Sequence, residues 1–330
     1  MVLGAVKSRG RSPQRWAYQS LLSMVGILGA CSVALVGCGG GGEPGQEDSE
    51  SVVVTTTILA DLTEEVAGDE VDVTGILQPG DDPHVYEPVP EDTVTLEEAT
   101  LILYNGYNLE PALIRLIEGV GSNATQVAIA EAVPPLEMDY DGEPVPDPHV
   151  WGNVKNAIAM VEAIRDALSE QFPDDAAAFE ANAAELIATL EQLETWVQAQ
   201  IATIPEDQRK LVTTHDAFQY YAQAYGVPVL GTLIGISTEE QPSAQTVQQL
   251  SDLIRDAKVP SIFAEATINP ALITIVAKEA GVELAPHELY ADAIGAPGSR
   301  GDSYINMIAA NTETIVTALG GTFTPFSPAP

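Results

Sequence analysis

Residues 174–204 read DDAAAFEANAAELIATLEQLETWVQAQIATI, with apolar side chains at three- and four-residue steps. Asp174 and Asp175 suit the positive N-terminal end of a helix dipole, and Pro205 ends the run. A helix of about 30 residues spans about 45 Å at about 1.5 Å per residue, which exceeds one small lobe. The stretch therefore predicts a long helix that joins two lobes, with an amphipathic core helix as the alternative.

Strand-like and helix-like segments alternate on both sides of this helix. The β-branched run SVVVTTT at residues 51–57 predicts a strand, and residues 58–67 follow with helical spacing. The alternation resumes at residue 211, which indicates mostly parallel sheets with helices on their faces. We predict an α/β protein of two lobes, each with a mostly parallel sheet flanked by helices, joined by one long rigid helix. The predicted parts are an N-terminal lobe at 51–173, the linking helix at 174–204, a C-terminal lobe at 205–321 and a tail at 322–330.

The first 37 residues have the pattern of a lipoprotein signal peptide. A basic segment ends at Arg15, and a mostly apolar stretch follows that is short for a membrane span. Leu35-Val36-Gly37-Cys38 resembles the bacterial lipobox, with Cys31 as the weaker candidate and an uncleaved membrane helix as the alternative. We predict lipidation at Cys38, a flexible tether at residues 38–50, and a location on the periplasmic or extracytoplasmic face of the cell membrane.

The composition limits the partners and the ligand chemistry. The formal net charge is −35, and so acidic a surface repels nucleic acid, which we exclude as a partner. The two cysteines are Cys31 and Cys38, so the chain after residue 38 has no disulfide and no thiolate. Any metal ion must therefore be held by nitrogen and oxygen. We expect the protein to be a monomer.

Two of the four histidines share one local sequence. Asp-Pro-His-Val occurs at residues 82–85 and again at 147–150. Each proline fixes its own φ and favours an extended conformation at the preceding aspartate, so each imidazole is held in a stiff loop. The repeat predicts that His84 and His149 are metal ligands.

Two further candidates lie beside predicted elements. His215 follows a predicted strand, and ligands collect beyond the carboxyl ends of strands in open parallel sheets. Asp302 lies at the start of the last predicted helix, where its carboxylate can cap the helix and also face a cation. The candidate set is therefore three imidazoles and one carboxylate.

The motifs together resemble the metal-binding component of bacterial zinc and manganese importers of the ATP-binding-cassette (ABC) type. The resemblance spans roughly residues 51–321. It implies two lobes joined by one long helix, a metal ion held by His84, His149, His215 and Asp302, and delivery to a membrane permease. The matching stretches are GDDPHVYEP at 80–88, YNGYNLE at 104–110, DPHVW at 147–151, THDAF at 214–218 and GDSY at 301–304.

The identity of the metal is less sharply indicated. Zinc-selective members often carry a histidine-rich insertion before the second histidine motif, but here that region, residues 137–147, is short and acidic and has no histidine. Manganese-selective members often have glutamate where this chain has His215. The two differences point to opposite metals. Three imidazoles and one carboxylate suit tetrahedral zinc, although bidentate binding by Asp302 would also suit manganese. We favour zinc over manganese. Possible partners that orient the imidazoles, outside the ligand set, are Glu87, Glu240 and Glu265.

The predicted function is a lipid-anchored, extracytoplasmic receptor that binds one divalent metal ion with high affinity and delivers it to an ABC importer permease. It is predicted not to be an enzyme. A zinc hydrolase would need an open coordination position for water, which a fourth protein ligand closes. A metal-dependent surface adhesin is the other alternative.

Overall fold

The computed structural model describes residues 51–120, 124–140 and 142–329. The predicted signal peptide, the tether and the lipidation site at Cys38 lie outside these residues. No helix in the described ranges is both long and apolar enough to cross a bilayer.

The N-terminal lobe is built on a four-stranded parallel sheet of β1 (Ser51–Val54), β2 (Asp72–Gly75), β3 (Leu101–Tyr104) and β4 (Thr125–Ala128), in the order β2-β1-β3-β4. Strand β1 is central, because Val52, Val53 and Val54 are fully buried and pack on both faces of the sheet. Helix α1 begins where the Thr56 side chain accepts a hydrogen bond from the Leu59 backbone N–H. The elements are β1 (Ser51–Val54), α1 (Thr57–Ala67), β2 (Asp72–Gly75), α2 (Pro90–Glu97), β3 (Leu101–Tyr104), α3 (Pro111–Gly119) and β4 (Thr125–Ala128).

An antiparallel hairpin and a helix complete this half of the chain. Strands β5 (Glu137–Tyr140) and β6 (Glu143–Pro146) form the hairpin in the short acidic segment, to which the sequence pattern assigns no strand. A 3-10 turn at Val150–Gly152 follows, and then α4 (Val154–Gln171) begins. Asn153 caps α4 through a hydrogen bond from the Lys155 backbone N–H.

The long helix α5 spans Ala176–Ile201 and connects the two halves. Its 26 residues correspond to about 39 Å at about 1.5 Å per residue. One face of α5 is buried against α1 and α4 of the first half, and the helix also packs on helices of the second half. Its buried apolar residues are Phe179, Ala183, Leu186, Leu190, Leu193, Val197 and Ile201.

The C-terminal lobe repeats the α/β pattern with shorter strands. Strand β7 (Leu211–Thr213) pairs with β8 (Val229–Thr232), and β9 (Ser261–Ile262) pairs with β10 (Glu283–Leu284), both in parallel. The Phe263 backbone N–H donates to the Val212 carbonyl at 2.9 Å, which joins β9 to β7. The elements are β7 (Leu211–Thr213), α6 (Gln219–Tyr225), β8 (Val229–Thr232), α7 (Ala244–Ala257), β9 (Ser261–Ile262), α8 (Ala271–Ala280), β10 (Glu283–Leu284) and α9 (Tyr304–Ala318).

The predicted fold class is confirmed, and both lobes share one apolar core. A single cluster of buried side chains runs from Val52 and Leu59, through Leu190 on α5, to Phe263 and Ile315. Each lobe also has a smaller core of its own. Because the main core is continuous, a movement of one lobe against the other must disturb side chains in both. The exact domain boundaries stay predictions.

The shared core predicts cooperative unfolding. Leu190→Ala removes a fully buried side chain from α5, and we expect it to lower the free energy of unfolding by about 2–5 kcal/mol. Urea unfolding followed by circular dichroism should show one transition at a lower midpoint. Leu253→Ala is the control, since Leu253 is exposed, and its effect should stay within about 0.5 kcal/mol. Two separate transitions would contradict a shared core.

Candidate metal centre

Four polar side chains from separate parts of the chain meet beyond the carboxyl ends of the parallel strands. His84 lies in the loop after β2, and His149 lies between the hairpin and α4. His215 follows β7 by two residues, and Asp292 lies in the segment after β10. The four are the one group of potential metal ligands found in the described ranges. The first two belong to the N-terminal lobe and the other two to the C-terminal lobe.

The distances between the donor atoms fit one small cation. The Nε2 atoms of His84 and His149 are 3.2 Å apart. Asp292 Oδ1 is 3.4 Å from His149 Nε2, and Asp292 Oδ2 is 3.2 Å from His215 Nε2. A tetrahedron with ligands about 2.0–2.1 Å from its centre has edges of about 3.3 Å. The arrangement can therefore bind one divalent ion with three nitrogens and a carboxylate.

The repeated Asp-Pro-His sequence has a direct structural role. Asp82 Oδ1 accepts a hydrogen bond from the His84 backbone N–H at 3.0 Å, and Asp147 Oδ1 accepts one from the His149 backbone N–H at 3.0 Å. Each aspartate thus closes a short turn around its proline. The turn fixes the backbone of the histidine and explains why the same four residues occur twice.

Buried carboxylates orient two of the three imidazoles. Asp147 Oδ1 lies 2.8 Å from His149 Nδ1, and Glu265 Oε2 is hydrogen-bonded to His215 Nδ1. Glu265 Oε1 also accepts from the backbone N–H groups of Thr214 and His215, at 2.7 and 2.9 Å. A carboxylate on Nδ1 leaves Nε2 for a metal and makes the imidazole more basic.

The charges of the centre are strongly coupled. Burial would lower the pKa of His215, but the carboxylates of Glu265 and Asp292 outweigh burial and hold that pKa well above 6.5. Burial would raise the pKa of Asp292, but His215 and the other two imidazoles lower it below its usual range. Burial, reinforced by the neighbouring imidazoles, lowers the pKa of His84 to about 3. Without a metal, these two shifts favour a proton on His215 and a negative charge on Asp292.

A cavity of about 320 Å³ reaches the centre from the side of His84. Its walls include Tyr107 and Arg115 from the N-terminal lobe and Glu239 from the C-terminal lobe. His149 and His215 are completely buried, whereas His84 is 5% exposed and lines the cavity. An ion that enters through this cavity meets His84 first.

The sequence pattern predicts Asp302 as the fourth ligand, but the structure does not place Asp302 with the three histidines. Asp292 takes that position. Asp302 Oδ2 accepts a hydrogen bond from the Gly298 backbone N–H, and its Oδ1 accepts one from the Asn306 side chain, both at 2.9 Å. The cap of α9 is Ser303, whose hydroxyl accepts from the Asn306 backbone N–H. Asp302 thus ties the preceding loop to the first turn of α9.

The sequence does contain a signal for Asp292. It is an acidic residue in the short apolar run Leu-Tyr-Ala-Asp-Ala-Ile at 289–294, after the last predicted strand. An acid in such a run is buried only when it is paired or binds a cation. Of the three suggested outer partners, Glu265 does orient an imidazole. Glu240 accepts instead from the Gly235 backbone N–H, and Glu87 is exposed.

The family of the chain follows from comparison with known proteins. A family model described as zinc-uptake complex component A, periplasmic (ZnuA), matches residues 52–318. The chain belongs to this family. The predicted resemblance is therefore confirmed, and so is the prediction that the protein is not an enzyme, because the ZnuA family consists of metal-binding, substrate-binding components of ABC transporters.

Relatives of this ZnuA-family protein are named for both metals. The chain is 36% identical over 300 residues to the manganese-binding lipoprotein MntA of Halalkalibacterium halodurans, covering 89% of this chain and 97% of MntA. It is 32% identical over 305 residues to the manganese ABC transporter substrate-binding lipoprotein PsaA of Streptococcus pneumoniae, covering 89% and 97%. The structure of the periplasmic zinc binding protein TroA from Treponema pallidum matches with a TM-score of 0.78 and 33% identity, covering 82% of this chain and 99% of TroA.

The electrostatics of the centre predict the effect of Glu265→Gln. The substitution removes one of the two carboxylates that raise the pKa of His215, so this pKa should fall in the metal-free protein. A histidine with a raised pKa stabilises the fold fully below about pH 6.5 and loses that contribution as the pH rises through the folded-state pKa. The stabilising contribution of His215 should therefore be lost at a lower pH in Glu265→Gln than in the unchanged protein. Histidine NMR titration measures the pKa, and urea unfolding at several pH values measures the stability.

Glu240→Gln is the matched control for this experiment. Its carboxylate is bonded to the Gly235 backbone and to none of the three histidines. The pKa of His215 should be the same in this variant as in the unchanged protein. An unchanged His215 pKa in Glu265→Gln would contradict the role given to the Glu265 carboxylate.

Proposed function

We propose that this ZnuA-family protein binds one divalent transition-metal ion through His84, His149, His215 and Asp292 and delivers it to an ABC importer. The observation that supports the proposal is the convergence of four buried donor groups whose ligand atoms all lie within 4.8 Å of one another. In the part of the chain that the structure describes, both oxygens of Asp292 face imidazole nitrogens of the centre, and no group outside the centre donates a hydrogen bond to them. A buried ionised carboxylate requires a compensating positive charge, which a divalent ion supplies.

We propose zinc as the more tightly bound ion. Three imidazole nitrogens and one carboxylate suit tetrahedral zinc, and the affinity series for divalent metals places zinc above manganese. Manganese is the second candidate, because both oxygens of Asp292 face the imidazoles and bidentate binding would raise the coordination number. The names of MntA and PsaA also support manganese.

We propose that the protein works at the outer face of the cell membrane with a permease as its partner. PsaA, a relative, is named as a lipoprotein and as a substrate-binding component of an ABC transporter. The lipobox-like sequence ending at Cys38 supports a lipid anchor on this chain as well. A Cys38→Ala variant that still labels with radioactive fatty acid would contradict this anchor and would point to Cys31.

Asp292→Ala and Asp302→Ala form a matched pair of variants that tests the ligand set. Asp292→Ala should weaken metal binding by more than about 100-fold, beyond the roughly 10- to 100-fold loss seen for groups that only orient ligands. Asp302→Ala should bind one ion per chain with unchanged affinity, because its carboxylate contacts Gly298 and Asn306. Titration calorimetry and metal analysis after dialysis measure affinity and stoichiometry. The reverse result would restore Asp302 as the ligand.

Competition between the two metals at several pH values tests the identity of the ion. Zinc should displace manganese at equilibrium. Since the neighbouring carboxylates raise the pKa of the metal-free His215, we expect metal binding to release a proton, and affinity should rise with pH until the pH passes this raised pKa. Calorimetry in buffers of different ionisation enthalpy counts the protons. Preferential retention of manganese in an equimolar mixture would overturn the choice of zinc.

A further inference from the structure

Among the described residues, Asp292 lacks a hydrogen-bonded side chain outside the centre that orients it, such as the carboxylates that orient His149 and His215. His149 and His215 are each held at Nδ1 by a carboxylate. Asp292 Oδ1 lies 3.4 Å from His149 Nε2 and Oδ2 lies 3.2 Å from His215 Nε2. Within the described ranges, no group outside the centre donates a hydrogen bond to either oxygen. Outside the centre, the Asp292 carboxylate is therefore positioned through its backbone.

The backbone on each side of Asp292 is held by a residue of the N-terminal lobe. The indole Nε1 of Trp151 donates to the Ala291 carbonyl at 2.9 Å. The Ile294 backbone N–H donates to the Thr57 hydroxyl oxygen at 3.0 Å. Trp151 and Thr57 are 3% and 5% exposed, so both hydrogen bonds are shielded from water. The ligand loop of one lobe is thus fixed by two side chains of the other.

Trp151 is itself held in place by both lobes. Its carbonyl accepts a hydrogen bond from the Tyr304 hydroxyl on α9 at 2.8 Å. Its indole ring lies 5.5 Å from the His149 ring at an interplanar angle of 71°. The geometry connects His149, a ligand from the N-terminal lobe, to the segment that carries Asp292.

We propose that Trp151 and Thr57 are positioning residues that hold the Asp292 carboxylate at the metal from across the interface between the lobes. The inference rests on the proposed function, because it requires Asp292 to be a ligand. Ligand groups that are already in place at binding cost less ordering on association, which raises affinity. Loss of either hydrogen bond should let residues 291–294 relax and should speed the departure of the ion.

Two conservative variants test this proposal in the full chain. Trp151→Phe keeps an aromatic ring and removes the indole donor, and Thr57→Val keeps the branched shape and removes the acceptor. Each should bind zinc roughly 3- to 10-fold more weakly, the effect expected for one hydrogen bond. Most of the loss should be a faster release of zinc into a chelator, measured by stopped flow.

The control variants carry the same two substitutions, and each removes one side-chain hydrogen bond to the backbone away from the centre. Trp196→Phe loses the hydrogen bond from the indole N–H to the Thr324 carbonyl. Thr195→Val loses the hydrogen bond from the threonine hydroxyl, which lies on the exposed face of α5, to the Glu191 carbonyl. Both controls should release zinc at the rate of the unchanged protein. Urea unfolding without metal shows how much each variant changes the fold, since a purely structural role would lower stability and leave the release rate unchanged.

The outcomes separate the two proposals. If Asp292→Ala binds zinc as tightly as the unchanged protein, the proposed ligand set is wrong. If Asp292→Ala binds weakly but Trp151→Phe and Thr57→Val release zinc like their controls, only the positioning role is overturned. Thr57 lies on α1, far along the chain from the His149 loop, so faster release from Thr57→Val cannot be assigned to a change in that loop. If Trp151→Phe does not fold, Thr57→Val decides the question.

Discussion

The buried carboxylate of Asp292 is the constraint on which the rest of the structure depends. A carboxylate that is 1% exposed, and to which no group outside the centre donates a hydrogen bond in the described part of the chain, would be strongly destabilising by itself. The surrounding imidazoles explain how the charge is tolerated, since their interaction with Asp292 lowers its pKa despite burial. A divalent ion among the same four groups would supply more positive charge than one protonated imidazole. The site is therefore arranged so that a cation completes it.

Each lobe contributes ligands in a different way. In the N-terminal lobe, Asp82 and Asp147 close turns that fix the backbones of His84 and His149. In the C-terminal lobe, Glu265 holds both the backbone and the ring of His215. Asp292 has no comparable carboxylate partner. The backbone on each side of it is hydrogen-bonded to side chains of the N-terminal lobe. The relative position of the lobes is therefore built into the geometry of the fourth ligand.

The sequence predicts much of this arrangement, and the exception is instructive. The long helix and the alternating strands leave local signals in the apolar spacing on α5 and in the β-branched runs. The repeated Asp-Pro-His turn indicates His84 and His149, and the position directly after a predicted strand indicates His215. The fourth ligand leaves a weaker signal. Asp302 precedes a helix and has the appearance of a capping residue, whereas Asp292 lies in a segment with little regular structure. Its place in the centre depends on contacts with residues more than 130 positions away, which no local pattern contains.

The continuous core restricts how an ion can leave. Side chains of α5 pack with elements of both lobes, so a large rotation between the lobes would expose apolar surface that the present arrangement buries. Release by a local change disturbs much less of that core. The departure of a cation leaves His215 between two carboxylates, and uptake of a proton by this imidazole partly restores the lost positive charge. Exchange of the metal ion for a proton, with little movement between the lobes, is thus the release route that exposes the least buried apolar area. It also leaves the least buried charge unpaired.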